Sequence, residues 1–266
     1  MTTEAKNPFD GVGQVLFLHA HPDDETLATG GTIAMLTSKG VGVTVLTGTR
    51  GERGEVVEGP LKMFEGTQQL ADLRMAELAS AMSALGVSDQ RFLGAPAART
   101  AGMDARRYAD SGMVWLTPTV AAAATDSTVD ALSRAPLGEV VSDIRAVIDS
   151  TRPDLIVTYD DQGGYGHPDH VRMHDAGVRA AQATGIRIAL IEPEDAALIE
   201  PEDAALEPEE GMPGRAVFSL DIGPWLPAKI AALSSHRSQL TMLNGSYRLS
   251  GGQVHPLSRV ERYVES

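Results

Sequence analysis

Two short boxes of histidine, proline and aspartate contain most of the side chains with which this chain could do chemistry. The first reads HPDDE at residues 21–25 and the second reads HPDH at residues 167–170. Imidazole and carboxylate groups bind transition metals and transfer protons, so each box brings both capacities together. Because the 266 residues include no cysteine, a metal here would have to be held by His, Asp or Glu.

The residue types in the boxes favour a hydrolytic metal site. Two imidazoles and one carboxylate leave a coordination position open, and zinc is the default metal for such a set. The metal would lower the pKa of water to about 7 and polarise a carbonyl. A neighbouring carboxylate would take the proton of the water, and an imidazole would stabilise the oxyanion or protonate the leaving amine. Spacing alone does not assign these roles, and either box alone is also compatible with an acidic helix start.

The segments around the boxes alternate between short apolar runs and amphipathic stretches. Strands are predicted at 15–20, 41–47, 91–93 and 154–159, and helices at 26–39, 70–85, 138–150 and 171–184. This order is typical of an α/β protein with a Rossmann-like, doubly wound, mostly parallel sheet. Ligands of such sheets bind outside the carboxyl ends of the strands. Each box follows a predicted strand, so we expect the two boxes to meet at that edge.

The chain is expected to form a single domain over residues 1–266. Residues 12–190 are the predicted catalytic core, and 211–266 are a small C-terminal extension of strand and helix that completes the site. Between them, at 191–210, the sequence IEPEDAAL occurs twice in succession. We interpret this acidic segment as a solvated loop, with a lid over the site as the alternative. No element is predicted between 94 and 136.

Charge and hydropathy limit the classes of partner. The formal net charge is −14, but nine acidic residues lie between positions 192 and 210 without any Lys or Arg, so the rest of the chain carries −5. A negative chain is poorly suited to nucleic acids or anionic membranes. No apolar run approaches the roughly 20 residues of a membrane span, and the N-terminus lacks the pattern of a secretory signal. We expect a cytoplasmic protein that acts on a small molecule, with homo-oligomerisation left open.

A family resemblance extends over about residues 12–185. AHPDDE after a first strand, with GHPDH far downstream, resembles the LmbE/PIG-L family of zinc-dependent N-acetylglucosaminyl deacetylases, and GERGEV, RMAELASAMSALGV and YADSGM are similar as well. TYDDQGGYGHPDH and DSGM are most similar to the mycothiol-pathway members, which deacetylate GlcNAc-inositol or cleave mycothiol conjugates. The resemblance implies removal of the N-acetyl group from an amino sugar, with GlcNAc-inositol as the leading substrate. A mycothiol S-conjugate amidase and a deacetylase of another GlcNAc metabolite are the alternatives.

The resemblance also implies residue roles. His21, Asp24 and His170 would bind zinc, although Fe²⁺ suits the same ligands. Asp23 would be the general base that activates water.

Further roles follow from the same matches. His167 would stabilise the oxyanion, Asp169 would orient the His167 ring, and Tyr165 would be a mobile residue that contacts substrate or transition state. The residues that match substrate-binding positions are Arg74, Asp110 and Glu52.

Simpler readings are compatible with several of these positions. Arg74 on its amphipathic helix could be a solvated arginine, and Asp110 could form an Asx-turn before Gly112. His236, in a segment that resembles the His-x-Ser-Gln motif of the family, is interpreted as structural. A non-catalytic sugar- or nucleotide-binding protein is also considered, because GTRGERG at 48–54 could cradle a phosphate. The acidic HPDDE box argues against it, since its carboxylates would repel phosphate.

Overall fold

The structure is a computed structural model that describes residues 6–117, 120–192 and 217–265. The acidic segment predicted at 191–210 lies outside these residues, except for Ile191 and Glu192, which end a strand. No helix in these three stretches is both long and apolar enough to cross a lipid bilayer.

The strands of the described residues form one large sheet and two small ones. In chain order they are β1 (Gln14–His19), β2 (Gly42–Thr47), β3 (Asp89–Phe92), β4 (Met113–Thr117), β5 (Val120–Ala123), β6 (Leu155–Tyr159), β7 (Arg187–Glu192), β8 (Val217–Asp221), β9 (Leu240–Met242), β10 (Ser246–Leu249), β11 (Val254–Pro256) and β12 (Val260–Glu265). The seven-stranded sheet has the order β3-β2-β1-β6-β7-β12-β8. Its first five strands are parallel, and β12 pairs antiparallel with both β7 and β8.

Helices cover both faces of this sheet. They are α1 (Asp24–Ser38), α2 (Gln68–Leu85), α3 (Leu137–Thr151), the single turn α4 (Gly163–Gly166), α5 (Pro168–Thr184) and α6 (Leu226–Leu233). Short 3₁₀ helices lie at Pro60–Phe64, Pro96–Ala98, Leu132–Arg134 and Gly223–Trp225. Helices α1, α2 and α6 pack together on one face, and α3 packs on α5 on the other.

Two cores result from the alternation of side chains along the central strands. Phe17 of β1 and Val157 of β6 point into the core under α1, α2 and α6. Leu16 and Leu18 of β1 and Ile156 of β6 point into the core under α3 and α5. Strands buried on both faces read as continuous apolar runs, which is why the sequence marked them clearly.

The two boxes sit at the topological switch point of the sheet. β1 and β6 are adjacent, yet the helix that follows β1 (α1) and the helix that follows β6 (α5) lie on opposite faces. The connections diverge there and leave a crevice outside the carboxyl ends of the two strands. The predicted doubly wound, mostly parallel α/β fold is confirmed.

The sequence predicted no element between 94 and 136, and the structure has two strands there. Met113–Thr117 and Val120–Ala123 pair as an antiparallel hairpin. The polar tail also forms structure, since β9, β10 and β11 build a small sheet and β12 joins the main one. Strands β4, β5, β9, β10 and β11 have only three to five residues each, too few for the periodicity of their side chains to identify a strand.

A buried ion pair ties this C-terminal part to α1. Lys229 Nζ of α6 lies 2.8 Å from Glu261 Oε1 of β12. The two Glu261 oxygens also accept hydrogen bonds from the backbone N–H groups of Gly31 and Thr32, at 2.9 and 2.8 Å. The pair therefore holds the middle of α1, the helix whose first residue is Asp24.

Candidate metal centre and active site

Three side chains from the two boxes converge on one point. His21 Nδ1 lies 3.3 Å from Asp24 Oδ2, His170 Nε2 lies 3.3 Å from the same oxygen, and the two ring nitrogens are 3.3 Å apart. His21 follows β1, Asp24 begins α1, and His170 lies in the first turn of α5. The switch point of the sheet thus assembles the group.

Each of these three side chains also has a hydrogen-bond contact with a further group. The second ring nitrogen of His21, Nε2, is 3.2 Å from Asp169 Oδ2, and Nδ1 of His170 is 3.1 Å from the carbonyl oxygen of Gly163. The hydroxyl of Tyr159 donates to Asp24 Oδ2 at 2.7 Å. Metal-binding histidines commonly donate their other N–H to a carboxylate or carbonyl in this way.

The donor set fits a divalent metal. Ligand atoms about 2.0–2.2 Å from a tetrahedral zinc lie roughly 3.3–3.6 Å from one another, which matches the three measured separations. His21, His167 and His170 also offer ring nitrogens within 4.8 Å of one another, as do donor atoms of His21 and His167 with the carboxylates of Asp110 and Asp169. In the triad that includes Asp24, all three mutual separations are 3.3 Å.

The electrostatics of the cluster favour a positive charge at its centre. Burial opposes protonation of His21, but the carboxylates of Asp110, Asp169 and Asp24 outweigh it and hold the pKa of His21 well above its usual range. Burial likewise opposes ionisation of Asp24, and the His170 and His21 rings outweigh it and hold the Asp24 pKa well below its usual range.

Asp23 projects away from its neighbour Asp24. Its φ of 110° lies in a region that favours glycine, so the backbone is strained there. This conformation directs the Asp23 carboxylate toward Arg74, whose Nη2 lies 3.2 Å from Oδ2. Burial raises the pKa of Asp23 to about 6, and the Arg74 guanidinium opposes this shift.

Arg74, expected to bind substrate, is a buried arginine that contacts Asp23. It lies on α2 with 3% of its surface exposed. Its guanidinium donates to the carbonyl oxygens of Gly51 and Pro22 as well as to Asp23. The alternative interpretation of Arg74 as a solvated arginine is wrong. Of its three guanidinium nitrogens, Nε has no hydrogen-bond partner among the described residues.

A second buried pair, Glu25 and His236, contacts the backbone of Asp23. The backbone N–H of Asp23 donates to Glu25 Oε2 at 3.0 Å, and Glu25 Oε1 is 3.1 Å from His236 Nε2. Burial disfavours both charges, but the pairing outweighs it, so the pKa of Glu25 is lowered and that of His236 is raised. The interpretation of His236 as structural agrees with this contact, which positions the first box.

His167 is the N-cap of α5. Its Nδ1 accepts a hydrogen bond from the backbone N–H of Asp169 at 3.2 Å, so the proton of the neutral ring resides on Nε2. Burial and the neighbouring His21 and His170 rings hold the pKa of His167 well below its usual range. The ring is therefore a neutral N–H donor beside His21, with ring centroids 4.5 Å apart.

The side chain of Asp169 has a different partner from the one expected. We predicted that it orients the His167 ring, and the hydrogen bond from Asp169 to that ring comes from its backbone N–H. The carboxylate lies against His21 Nε2 and accepts hydrogen bonds from Ser111 N and Oγ and from Ser133 N. The structure thus connects Asp169 to the ring of His21.

Tyr165 lies at the mouth of the cluster on the glycine-rich turn α4. Its ring centroid is 5.2 Å from that of His170 and 6.1 Å from that of His167, and 38% of its surface is exposed. The turn requires glycine, because Gly163 has φ +63° and a Cβ there would lie 2.8 Å from the Cβ of His170.

The two remaining predicted substrate-binding residues, Asp110 and Glu52, have different surroundings. Asp110 Oδ1 accepts from Gly112 N at 2.8 Å, which is the suggested Asx-turn, and the same oxygen lies 3.7 Å from His21 Nε2. Glu52 Oε1 is 3.6 Å from a nitrogen of Arg107, and its other oxygen is buried without a hydrogen-bond partner among the described residues.

Comparison with known proteins establishes the family. The profile of the family described as "PIG-L: GlcNAc-PI de-N-acetylase" matches residues 16–181. A relative from Kineococcus radiotolerans is 40% identical over 94% of this chain and 76% of that protein. The chain belongs to the PIG-L family.

The Kineococcus relative and others in the family are named 1D-myo-inositol 2-acetamido-2-deoxy-alpha-D-glucopyranoside deacetylase. The one from Saccharopolyspora erythraea, numbered 1, is 39% identical over 94% of this chain and 88% of its own length. Among solved structures, a deacetylase of teicoplanin biosynthesis aligns with a TM-score of 0.59 and 23% identity, covering 95% of this chain and 98% of that one. N,N′-diacetylchitobiose deacetylase from Pyrococcus horikoshii aligns with a TM-score of 0.57 and 22% identity, covering 87% of this chain and 72% of that one. These structural likenesses establish the fold.

Some contacts of this PIG-L site were missed in the sequence. Tyr159 ends the buried strand β6, and its hydroxyl, which contacts Asp24, also accepts the backbone N–H of Ala20. A tyrosine that closes an apolar strand at the carboxyl edge was the available signal. Ser111, which binds Asp169, lies inside the family-like segment YADSGM and had no other signal.

Proposed function

We propose that this PIG-L family protein is a zinc-dependent hydrolase that removes the N-acetyl group from 1D-myo-inositol 2-acetamido-2-deoxy-α-D-glucopyranoside, here called GlcNAc-inositol. The observation that carries the proposal is the triad of His21 Nδ1, Asp24 Oδ2 and His170 Nε2, with separations that suit a tetrahedral metal. The names of relatives that are 36–40% identical over 94% of the chain supply the substrate.

His21, Asp24 and His170 are the residues that would hold the metal. A bound divalent metal supplies Lewis acidity, which polarises a carbonyl and lowers the pKa of water to about 7. Zinc suits the two-histidine, one-carboxylate set, and Fe²⁺ suits the same ligands.

In the proposed mechanism, Asp23 acts as the general base. Its carboxylate lies next to the triad in sequence, yet its positive φ keeps it out of the ligand set. In hydrolysis it accepts a proton from the water that attacks the acetamide carbon. The hydrogen bond from Arg74 fixes the Asp23 carboxylate, and the hydrogen bond from the Asp23 backbone N–H to Glu25 fixes the backbone.

In the proposed mechanism, His167 stabilises the oxyanion. Because its Nδ1 accepts a backbone N–H, its Nε2–H is the available donor. As the C–N bond breaks, the proton held by Asp23 passes to the leaving amine nitrogen, and the products are acetate and the free amino sugar. Tyr165, half-exposed at the mouth, contacts the substrate there.

A pair of adjacent asparagine substitutions tests this division of labour. Asp23→Asn is expected to keep metal binding and to lower kcat by about 10²–10⁴, since it removes only the base. Asp24→Asn is expected to lower metal content, as measured by elemental analysis after dialysis. Asp161→Asn, at an exposed carboxylate of the same loop as the second box, is the control and should change neither quantity. If Asp23→Asn loses the metal while Asp24→Asn retains it, the two roles are reversed.

A further inference from the structure

An exposed aromatic pair extends from the active site to the surface. The Trp115 and Tyr165 ring centroids lie 5.5 Å apart at an interplanar angle of 32°, and Tyr165 in turn contacts the ring of His170. Trp115 retains 46% of its surface exposed. Two aromatic steps therefore connect a proposed metal ligand to a tryptophan that is open to solvent.

The hairpin that carries Trp115 is fastened to the active site at both of its strands. β4 starts two residues after Ser111, which binds the Asp169 carboxylate. On β5, the backbone of Ala121 packs so closely on Gly166 that a Cβ at Gly166 would lie 2.8 Å from the Ala121 carbonyl oxygen. The hairpin that carries Trp115 is therefore positioned by its contacts with the residues around the second box.

Register places Trp115 on the face of the hairpin that meets the site. Trp115 pairs with Ala121, and cross-strand partners project to the same face. Ala121 is buried, whereas Val114, which directly precedes Trp115, alternates to the opposite face and is exposed. Val114 therefore offers a control on the same strand that lies away from Tyr165.

We propose that Trp115, with Tyr165, forms a subsite for the second ring of the substrate, the ring that is joined to the N-acetylated sugar. This inference rests on the proposed function, whose substrate consists of two six-membered rings. The face of an aromatic ring carries partial negative charge and attracts the partly positive C–H groups on one side of a sugar or cyclitol ring. An amphipathic indole covers the flat ring while hydroxyl groups at the ring edge stay in water. Trp115 is then a specificity-determining residue and takes no part in amide cleavage.

Two substrates that differ only beyond the acetylated sugar test the proposal. Trp115→Ala is expected to lower kcat/KM for GlcNAc-inositol by about tenfold, mainly through KM, and to leave the methyl glycoside of N-acetylglucosamine within about twofold of wild type. Trp115→Phe should retain most of the activity on both substrates. Val114→Ala is the matched control and should change neither. An equal loss on both substrates, or no loss on GlcNAc-inositol, overturns the proposal.

A binding measurement separates failure of the subsite from failure of the proposed function. The chain has two tryptophans, so Trp225→Phe leaves Trp115 as the fluorescent reporter, and adding Asp23→Asn suppresses turnover. A fluorescence change that saturates with GlcNAc-inositol but not with the methyl glycoside supports the subsite even if wild type releases no acetate. No change with either ligand overturns it. Trp115→Ala could instead convert a dimer to a monomer in sedimentation and lower activity equally on both substrates. That result would make the surface around Trp115 an interface between copies of the chain and would refute the subsite.

Discussion

Asp169→Asn should weaken metal binding, because the Asp169 carboxylate contacts His21. Oδ2 lies 3.2 Å from His21 Nε2 and accepts from Ser111 N, while Oδ1 accepts from Ser111 Oγ and Ser133 N. An asparagine amide has one acceptor oxygen, so its NH₂ group must face a donor on one of the two sides. If the oxygen keeps the Oδ1 partners, the NH₂ group confronts the N–H of His21.

The expected magnitude follows from what is retained and what is lost. All three proposed ligands remain, so the substitution removes the orientation and charge support of one histidine. Loss of such a support typically lowers metal affinity by about 10–100-fold, which corresponds to about 1.4–2.7 kcal/mol. The loss should lie well below that caused by removing a ligand outright.

The assay is zinc competition against a chromophoric chelator, with acetate release measured at saturating zinc. Ser133→Ala is the control, because the backbone N–H of Ser133 is what contacts Asp169 and the substitution retains it. Zinc affinity of this variant should stay within about twofold of wild type. An Asp169→Asn protein with unchanged zinc affinity and lowered kcat would refute the structural assignment and would restore the expected partnership with His167.

Two further predictions concern stability. Glu261→Gln leaves the buried Lys229 ammonium without its counter-charge and should lower the free energy of unfolding by about 3–5 kcal/mol, as measured by urea titration. Adding Lys229→Met should recover part of this loss. Equal stability of the single and the double variant would contradict the pairing. Burial would raise the pKa of Asp143, but hydrogen bonds from Thr100 and the Arg99 guanidinium outweigh it and lower that pKa. The stabilisation is therefore present above the unfolded pKa of about 3.8 and is lost as pH falls through the folded value. Asp143→Asn should be less stable than wild type by about 2 kcal/mol at pH 7, with the difference shrinking below pH 4, and a difference that grows in acid would contradict this sign.

The central fold could be predicted because its strands are buried on both faces. β1 and β6 read as apolar runs, and each is followed by a box whose proline and carboxylates mark a loop and a helix start. The switch-point rule then brings the boxes together without any knowledge of side-chain contacts. The hairpin of β4 and β5 escaped prediction because its strands have only five and four residues, too few for their side-chain pattern to identify a strand.

The site could be predicted as a set of residues but not as a set of pairings. His21, Asp24 and His170 were named from the family resemblance, and the structure brings them within 3.3 Å of one another. The partners of Arg74 and Asp169 belong to segments that are far away in the sequence. Asp169 of the second box contacts His21 of the first box, and sequence spacing does not predict such a contact. Arg74 could be matched to a family position, but its burial against Asp23 follows only from the packing of α2 on the first box.

Zinc titration of the metal-free protein, followed by acetate release from GlcNAc-inositol, tests the central claim most directly. We predict no acetate release after chelation, full recovery at one equivalent of zinc per chain, and no recovery at that ratio in Asp24→Asn. Acetate release that persists in the chelated protein, or a zinc-loaded protein that releases none, would contradict the account.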